Sequence, residues 1–399
     1  MKKRDLFLGQ LIALKDKSPI KVITGVRRCG KSSLLDLYEE YLLSVGVKPE
    51  AIVRMNFESM DFDDIRGYRQ LNEYVNLRIS DESKTYVLLD EVQMVAEWER
   101  AVNSLRLNRK LDIYITGSNS RLLGSGLSSL LAGRYIEIHM LPLSFKEFLD
   151  FYDYGTDGDL LGHFNRYIEI GGLPGIAELR EQEPAIRPYI NGIYNTIILK
   201  DVIEKNEVRD PVLLENLVRY MAGNIGNLVS SKKVADFLTS SGRKTASETI
   251  DSYLRMLEEA YVYYRAGRYS LKGKQNLKTQ GKYYMIDMGI RNELVGRRGQ
   301  DYGFVLENIV YFELLRRGFD VRVGSLPGLE VDFVAVRPDK TVYYQVTATM
   351  LAEETKEREL RPLKAIKDNY EKVVLSMDRT PLKDYDGIQN MNIIDFLLQ

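Results

Sequence analysis

Residues 25–32 read Gly-Val-Arg-Arg-Cys-Gly-Lys-Ser, a complete G-x-x-x-x-G-K-S pattern. The apolar stretch Val22-Ile23-Thr24 precedes it, and the helix-forming run Ser33-Leu34-Leu35-Asp36-Leu37 follows. A glycine loop between a strand and a helix is a phosphate cradle, and no other feature of the chain restricts the fold as much. It requires a parallel sheet that collects its ligand at the carboxyl ends of its strands. The glycines let backbone N–H groups close around a phosphate, and the helix start adds the positive end of its dipole. The expected cradle is Gly25, Val26, Arg27, Arg28, Cys29, Gly30, Lys31, Ser32 and Ser33. Lys31 suits the β- and γ-phosphates of ATP, and Ser32 suits Mg²⁺.

Strand signals recur at residues 21–24, 51–57, 86–89, 113–116 and 135–140, with helix-like stretches between them. This alternation predicts an α/β core. The third strand ends in Leu89-Asp90-Glu91. Asp90 can hold Mg²⁺, usually through water, and Glu91 can orient and polarise an attacking water. The fourth ends in Thr116-Gly117-Ser118-Asn119, where a polar side chain would lie beside the γ-phosphate. Asn119 is the preferred sensor, with Ser118 and Thr116 as alternatives and a helix or turn cap as the plain structural reading. Gly133-Arg134 stands immediately before the fifth strand, a position that suits an arginine finger acting on a neighbouring protomer.

The 399 residues predict more than one domain. With 56 Lys and Arg against 57 Asp and Glu, the chain has no general basic coat, so any nucleic-acid surface must be local. The single cysteine, Cys29, excludes internal disulfides and cysteine-rich zinc sites. Two histidines, His139 and His163, lack metal-site spacing and read as packing or surface residues. No apolar run approaches a membrane span. The opening Met1-Lys2-Lys3-Arg4 leads into an amphipathic helix rather than a signal peptide, and a cytoplasmic protein is expected.

These residues resemble the AAA+ ATPase superfamily, and more narrowly a prokaryotic family of predicted AAA+ ATPases with an uncharacterised C-terminal domain. The resemblance rests on residues 24–32, Leu89-Asp90-Glu91-Val92-Gln93 with Trp98, Thr116-Gly117-Ser118-Asn119 and Ala132-Gly133-Arg134-Tyr135. It continues through residues 141–148 and Gly171-Gly172-Leu173-Pro174, the last similar to the family's lid segment. It implies ATP, Mg²⁺, assembly into a homo-oligomeric ring, taken as hexameric, and a DNA-related setting. It leaves the role of Gln93 open, and Trp98 is expected to pack rather than bind.

Beyond the core, residues 144–152, 159–170 and 185–204 read as helices of a lid. Such a lid can supply a second sensing arginine, with Arg166, Arg180 and Arg187 as unranked candidates. Helical patterns at 230–238 and 246–259, followed by strands at 261–265 and 282–286, suggest a winged helix. The hairpin carries Arg265, Arg268, Lys272, Lys274, Lys278 and Lys282 without an acid, and tyrosines flank it. Such a hairpin could track phosphates and stack bases, or serve a protein-contact module.

The last hundred residues read as helix 304–317, strands 320–323, 330–336 and 342–346, helix 353–367 and strand 372–377. This order resembles the restriction-endonuclease-like fold. Asp332 stands at that fold's first acid position, but Gln345-Val346-Thr347 replaces the acid-x-lysine triplet; Glu307 with Asp332 could hold Mg²⁺ or be a structural pair. Thr347 cannot replace a lysine that stabilises phosphate charge. Arg358 or Arg361 on the following helix is a candidate for a relocated cation, and a non-cleaving domain is expected.

The expected architecture is therefore α/β: an AAA+ P-loop core at 1–143, a helical lid at 144–210, a winged helix at 211–295 and a restriction-endonuclease-like domain at 296–399. The expected activity is Mg²⁺-dependent ATP hydrolysis that remodels or translocates DNA. The alternatives are an ATP-dependent switch acting through protein contacts and an ATP-gated nuclease. Lys31, Glu91, Asn119 and Arg134 are the expected catalytic residues.

Overall fold

The computed structural model describes residues 2–80, 83–123, 131, 133–155, 158–273, 275–296, 302–379 and 384–399. They form two compact units, Met1–Pro142 with Glu259–Tyr261, and Leu143–Glu258 with Val262–Gln399.

The first unit is built on five parallel strands: β1 Ile20–Thr24, β2 Ile52–Asn56, β3 Thr85–Asp90, β4 Leu111–Gly117 and β5 Tyr135–His139. Their order across the sheet is β2-β3-β4-β1-β5. All five expected strands are present. Every residue of β1, β3 and β4 is buried, as expected of central strands covered on both faces. Val22, Leu89, Ile113 and Ile115 pack with Val102 and Leu105 of the helix Trp98–Leu105. Trp98 belongs to this core, in agreement with its expected packing role. Insertion of β4 between β1 and β3 places the tips of β1, β3 and β4 side by side. Lys21 and Asp112 form a fully buried ion pair between β1 and β4. Asp112 also accepts from Tyr114, which pairs with Tyr38 at 2.5 Å.

The second unit begins with the helices Phe145–Phe151, Leu160–Ile170 and Glu183–Thr196, the last running on into a π-helical stretch, Ile197–Glu204. Ser144 caps the first through a reciprocal pair with Glu147. The helices Ser231–Ser240 and Ser247–Glu259 follow the expected pattern. A mixed sheet contains β6 Leu228–Val229, β7 Tyr263–Ser270, β8 Gln275–Met285, β9 Asp320–Leu326, β10 Leu329–Arg337 and β11 Lys340–Val346. It also contains β12 Glu371–Ser376, β13 Asp384–Tyr385 and β14 Ile388–Asn392. The order is β13-β14-β12-β11-β10-β9-β7-β8-β6.

Here the structure differs from the free wing expected from sequence. Strands β7 and β8 are longer than predicted, and β7 pairs in parallel with β9 through Arg268, Tyr269 and Ser270. The hairpin is thus part of a sheet shared with the C-terminal strands. Local periodicity cannot signal this, because the pairing joins residues more than fifty positions apart.

Buried Asp287 fixes another bend. Its carboxylate accepts from the Gly172 and Ile290 backbone N–H groups at 2.7 and 3.1 Å. A Cβ at Gly171, where φ is +79°, would lie 2.2 Å from that carboxylate. This explains Gly171, and a Cβ at Gly172 would lie 2.6 Å from the Leu143 carbonyl, which accounts for the second glycine.

Candidate nucleotide site

The glycine loop leaves β1 and enters the helix Lys31–Ser44. A Cβ at Gly25 would lie 2.3 Å from the Met140 carbonyl, so only glycine fits there. Gly30, at φ +101°, caps the helix in the left-handed region, and Arg28 also has positive φ, +68°. Arg4 holds the loop from behind. Its guanidinium is buried and donates to the Cys29, Leu141 and Pro142 carbonyls at 3.0, 2.8 and 3.3 Å. Its place in a basic N-terminal run gave no sign of this role. Cys29 is fully buried, and burial pushes its thiol pKa up. Its place in the loop therefore suits packing, not reactivity. Arg27 pairs with Glu58 at 3.0 Å.

Lys31 is buried. Its Nζ donates to the Gly25 and Val26 carbonyls at 3.1 and 3.3 Å and lies 3.6 Å from Glu91 Oε1. The structure thus brings together the loop lysine and the acid after β3, sixty positions apart. Asp90 is fully buried at the end of β3. Its Oδ1 accepts from Thr116 Oγ1 at 2.5 Å, and its Oδ2 accepts from Arg54 Nη2 at 3.4 Å. Arg54 also reaches Asp36, on the loop's own helix, at 2.9 Å. Thr116 Oγ1 in turn accepts the Glu91 N–H at 2.9 Å. Thr116, proposed above as an alternative sensor, therefore pins both acids. Ser32, in the first helical turn, and Asp90 offer hard oxygen donors of the kind Mg²⁺ takes.

Ser118 and Asn119 are both buried at the carboxyl end of β4, and Ser118 Oγ has no partner among the described residues. Arg134 is exposed immediately before β5, and its carbonyl accepts from Ile20. Beneath the loop, Thr24 Oγ1 contacts His139 Nδ1 at 2.9 Å. Burial, reinforced by the Lys31 charge, pushes the His139 pKa down to about 4, so its ring is neutral at pH 7. His163 stacks on Tyr154 at 3.9 Å, a packing role.

The lid arginines are all ion-paired: Arg166 with Glu169 and Glu183, Arg180 with Asp153, and Arg187 with Glu293.

The C-terminal candidates gather differently from expectation. Lys282, anticipated on an exposed hairpin, is buried, with Nζ 2.9 Å from Glu330, 3.0 Å from Glu307 and 3.4 Å from Asp332. It is removed from any surface stripe because β8 turns it towards the helix Tyr302–Arg316 and β10. Tyr284 adds a hydroxyl to Glu307 at 3.2 Å. Asp332 accepts the Val346 N–H at 2.9 Å, and Gln345 donates to Glu359 at 2.9 Å. Arg358 is tied to Glu359 at 2.8 Å. A cavity of about 690 Å³ runs past Glu307, Asp332, Gln345, Thr347, Arg358 and Arg361. Among the described residues, no three His, Cys, Asp or Glu are arranged to hold a metal ion. Arg268 is drawn onto Ser325 at 2.9 Å, whereas Arg265 and Lys272 are exposed. Lys274 and the side chain of Lys278 lie outside the described residues. Tyr263 and Tyr283 are buried and present no stacking surface.

Residues 17–149 match the family described as an AAA domain, and residues 161–301 match a domain of unknown function, DUF8612. An uncharacterised protein of Haemophilus influenzae is 39% identical over 99% of this chain and 98% of its own length. The chain belongs to that protein's family. An uncharacterised protein of Methanocaldococcus jannaschii, MJ1544, is 31% identical over 94% of this chain and 85% of its own. Among solved structures, the Walker-type ATPase PABY2304 of Pyrococcus abyssi aligns with a TM-score of 0.51 and 16% identity. It covers 74% of this chain and 96% of its own, a likeness of fold. The AAA-domain match covers all five strands of the first sheet and the loop from Gly25 to Ser32. The first unit of this family member is therefore an ATPase-type domain. Among the described residues no helix is long and apolar enough to cross a membrane.

Proposed function

We propose that the protein hydrolyses ATP with Mg²⁺ at the glycine loop. The observation that carries this reading is the approach of Lys31 to Glu91 at the mouth of a loop whose next helix starts at Lys31. Lys31 exchanges its carbonyl partners for the β- and γ-phosphates, and Ser32 and Asp90 hold the metal. Mg²⁺ held by Ser32 and Asp90 would supply charge neutralisation at the phosphates. Glu91 orients a water and takes its proton as the water oxygen bonds to the γ-phosphorus, and the bond to the departing ADP oxygen breaks. Asn119 senses the γ-phosphate. Exposed Arg134 serves a neighbouring protomer of a homo-oligomeric ring.

DNA remodelling is the first candidate for what turnover drives. The burial of Lys282, Tyr263 and Tyr283 leaves Arg265 and Lys272 as the exposed cations of the described hairpin. This favours the second reading, an ATP-driven switch working through protein contacts. In the C-terminal part, Lys282 is paired with Glu307 and Asp332, the acids a nuclease of that fold would use, which supports a non-cleaving role.

The test is ATP turnover with and without single-stranded, duplex and branched DNA, with cut products followed. Glu91→Gln should retain ATP binding and lose about 10²-fold or more in kcat. Normal turnover by that variant refutes the base assignment. Stimulation by DNA selects remodelling, and indifference selects the switch.

A further inference from the structure

We propose that Gln93 is a positioning residue that holds the Glu91 carboxylate for the attacking water, in space kept open by the missing side chain of Gly117. This rests on the ATPase reading above.

Three observations converge. First, Glu91 has φ +53°, a left-handed conformation costing on the order of 1 kcal/mol for a residue with a side chain. The chain accepts this bend at the end of β3 and turns into the short helix Val92–Met94. The bend folds Gln93 back, so that its side-chain amide Nε2 donates to Glu91 Oε2.

Second, a carboxylate only accepts hydrogen bonds, so the NH₂ end of the amide must face Glu91 and the carbonyl end must face away. Gln93 Oε1 is accordingly buried and has no partner among the described residues. An unpaired buried acceptor costs roughly 1–3 kcal/mol. A leucine of similar size would avoid that cost, so packing alone does not account for glutamine.

Third, a Cβ at Gly117 would lie 2.8 Å from Gln93 Oε1 and 2.9 Å from Leu122 Cδ2. Gly117 is not among the positive-φ glycines, so the backbone does not require glycine there. The space filled by the Gln93 amide and the Leu122 side chain favours it.

Glu91 is held at both oxygens, Oε2 by Gln93 and Oε1 by Lys31 at 3.6 Å. A triphosphate withdraws Lys31 to the phosphates. Gln93 then remains the side-chain tether, and it leaves Oε1 to accept the water's hydrogen bond. Gln93 acts through Glu91 and touches neither phosphate nor metal.

The test compares wild type, Gln93→Leu and Gly117→Ala by steady-state ATP turnover, by the Kd of a fluorescent ATP analogue and by thermal unfolding, with Glu91→Gln as reference. Gln93→Leu should lower kcat by about 10–100-fold while Kd stays within about twofold and the melting temperature holds or rises. Gly117→Ala displaces the amide without removing it and should give a smaller fall of the same kind. Unchanged kcat in both variants overturns the proposal. So does a parallel loss of binding and melting temperature, which would mark a packing role. If wild type does not turn over ATP, or Glu91→Gln matches it, the ATPase reading itself fails and Gln93 has no base to position.

Discussion

Lys31 and Lys282 are equally buried, at 4% side-chain exposure, yet they are held in opposite ways. Lys31 rests on two carbonyls at 3.1 and 3.3 Å, and its nearest carboxylate is 3.6 Å away. Lys282 is enclosed by three carboxylates at 2.9–3.4 Å. A lysine on carbonyls at the start of a helix can be traded to an arriving phosphate. A lysine within a carboxylate cage neutralises the cage, and moving it would strand several negative charges. Burial alone therefore does not separate a working lysine from a structural one; the charge of its partners does.

The largest effect expected from this contrast is at Lys31. Lys31→Ala should abolish measurable turnover and weaken ATP binding by about tenfold or more, while the stability of the protein without nucleotide changes little. The neutral partners it leaves are carbonyls at a partly open loop. Nucleotide titration and denaturant unfolding on the same variant check both halves. A large stability loss would place Lys31 in the structural class.

Lys282→Met should do the reverse. Removing one partner of a buried ionic cluster costs about 3–5 kcal/mol. Denaturant unfolding should show that loss in the second unit, and ATP binding should survive. A cost below about 1 kcal/mol would mean that the cage does not depend on its lysine.

The first unit was more legible in the sequence than the second, and particular residues show why. Apolar runs such as Leu88-Leu89 and Ile113 to Ile115 are local, and so are the loop and the acidic pair that ends β3. The five strands could therefore be read directly. Arg4, Arg54 and Lys282 could not, because their partners lie 137, 36 and 50 positions away. Lys282 was the most misleading of them, since it follows the mostly basic and polar run Lys272 to Gln280. Its burial comes from Glu307, Glu330 and Asp332, which lie 25 to 50 positions further along the chain. The two-strand ribbon β13–β14 and the final helix Ile393–Leu398 were also missed, being short with little alternation.

The smallest effect expected is that of one cage acid, Glu330, read against the titration of the whole cage. Burial, with the neighbouring Asp332 charge adding to it, pushes Glu307 up to about 8 from an ordinary 4.5, while Lys282 and Tyr284 oppose the rise. The folded protein thus keeps a proton that the unfolded chain releases. Stability from this group is complete below pH 4.5 and is lost as pH rises towards 8, at about 1.4 kcal/mol per pH unit. Asp287, pushed up to about 6 by burial, contributes in the same direction but only below that pH. The interval from pH 6 to 8 lies above the Asp287 titration, and unfolding midpoints should fall across it as Glu307 gives up its proton together with its coupled neighbour Asp332, whose pKa burial also raises. Glu330 is the most exposed cage acid, at 35%, so solvent screens its pairing with Lys282. Glu330→Gln should change stability by less than about 1 kcal/mol at pH 6. It also removes one of the charges that raise Asp332, so the decline towards pH 8 should become shallower. A steeper decline would show that Glu330 attracts Lys282 more strongly than it repels its fellow acids, and the cage would then need all three carboxylates to hold its lysine.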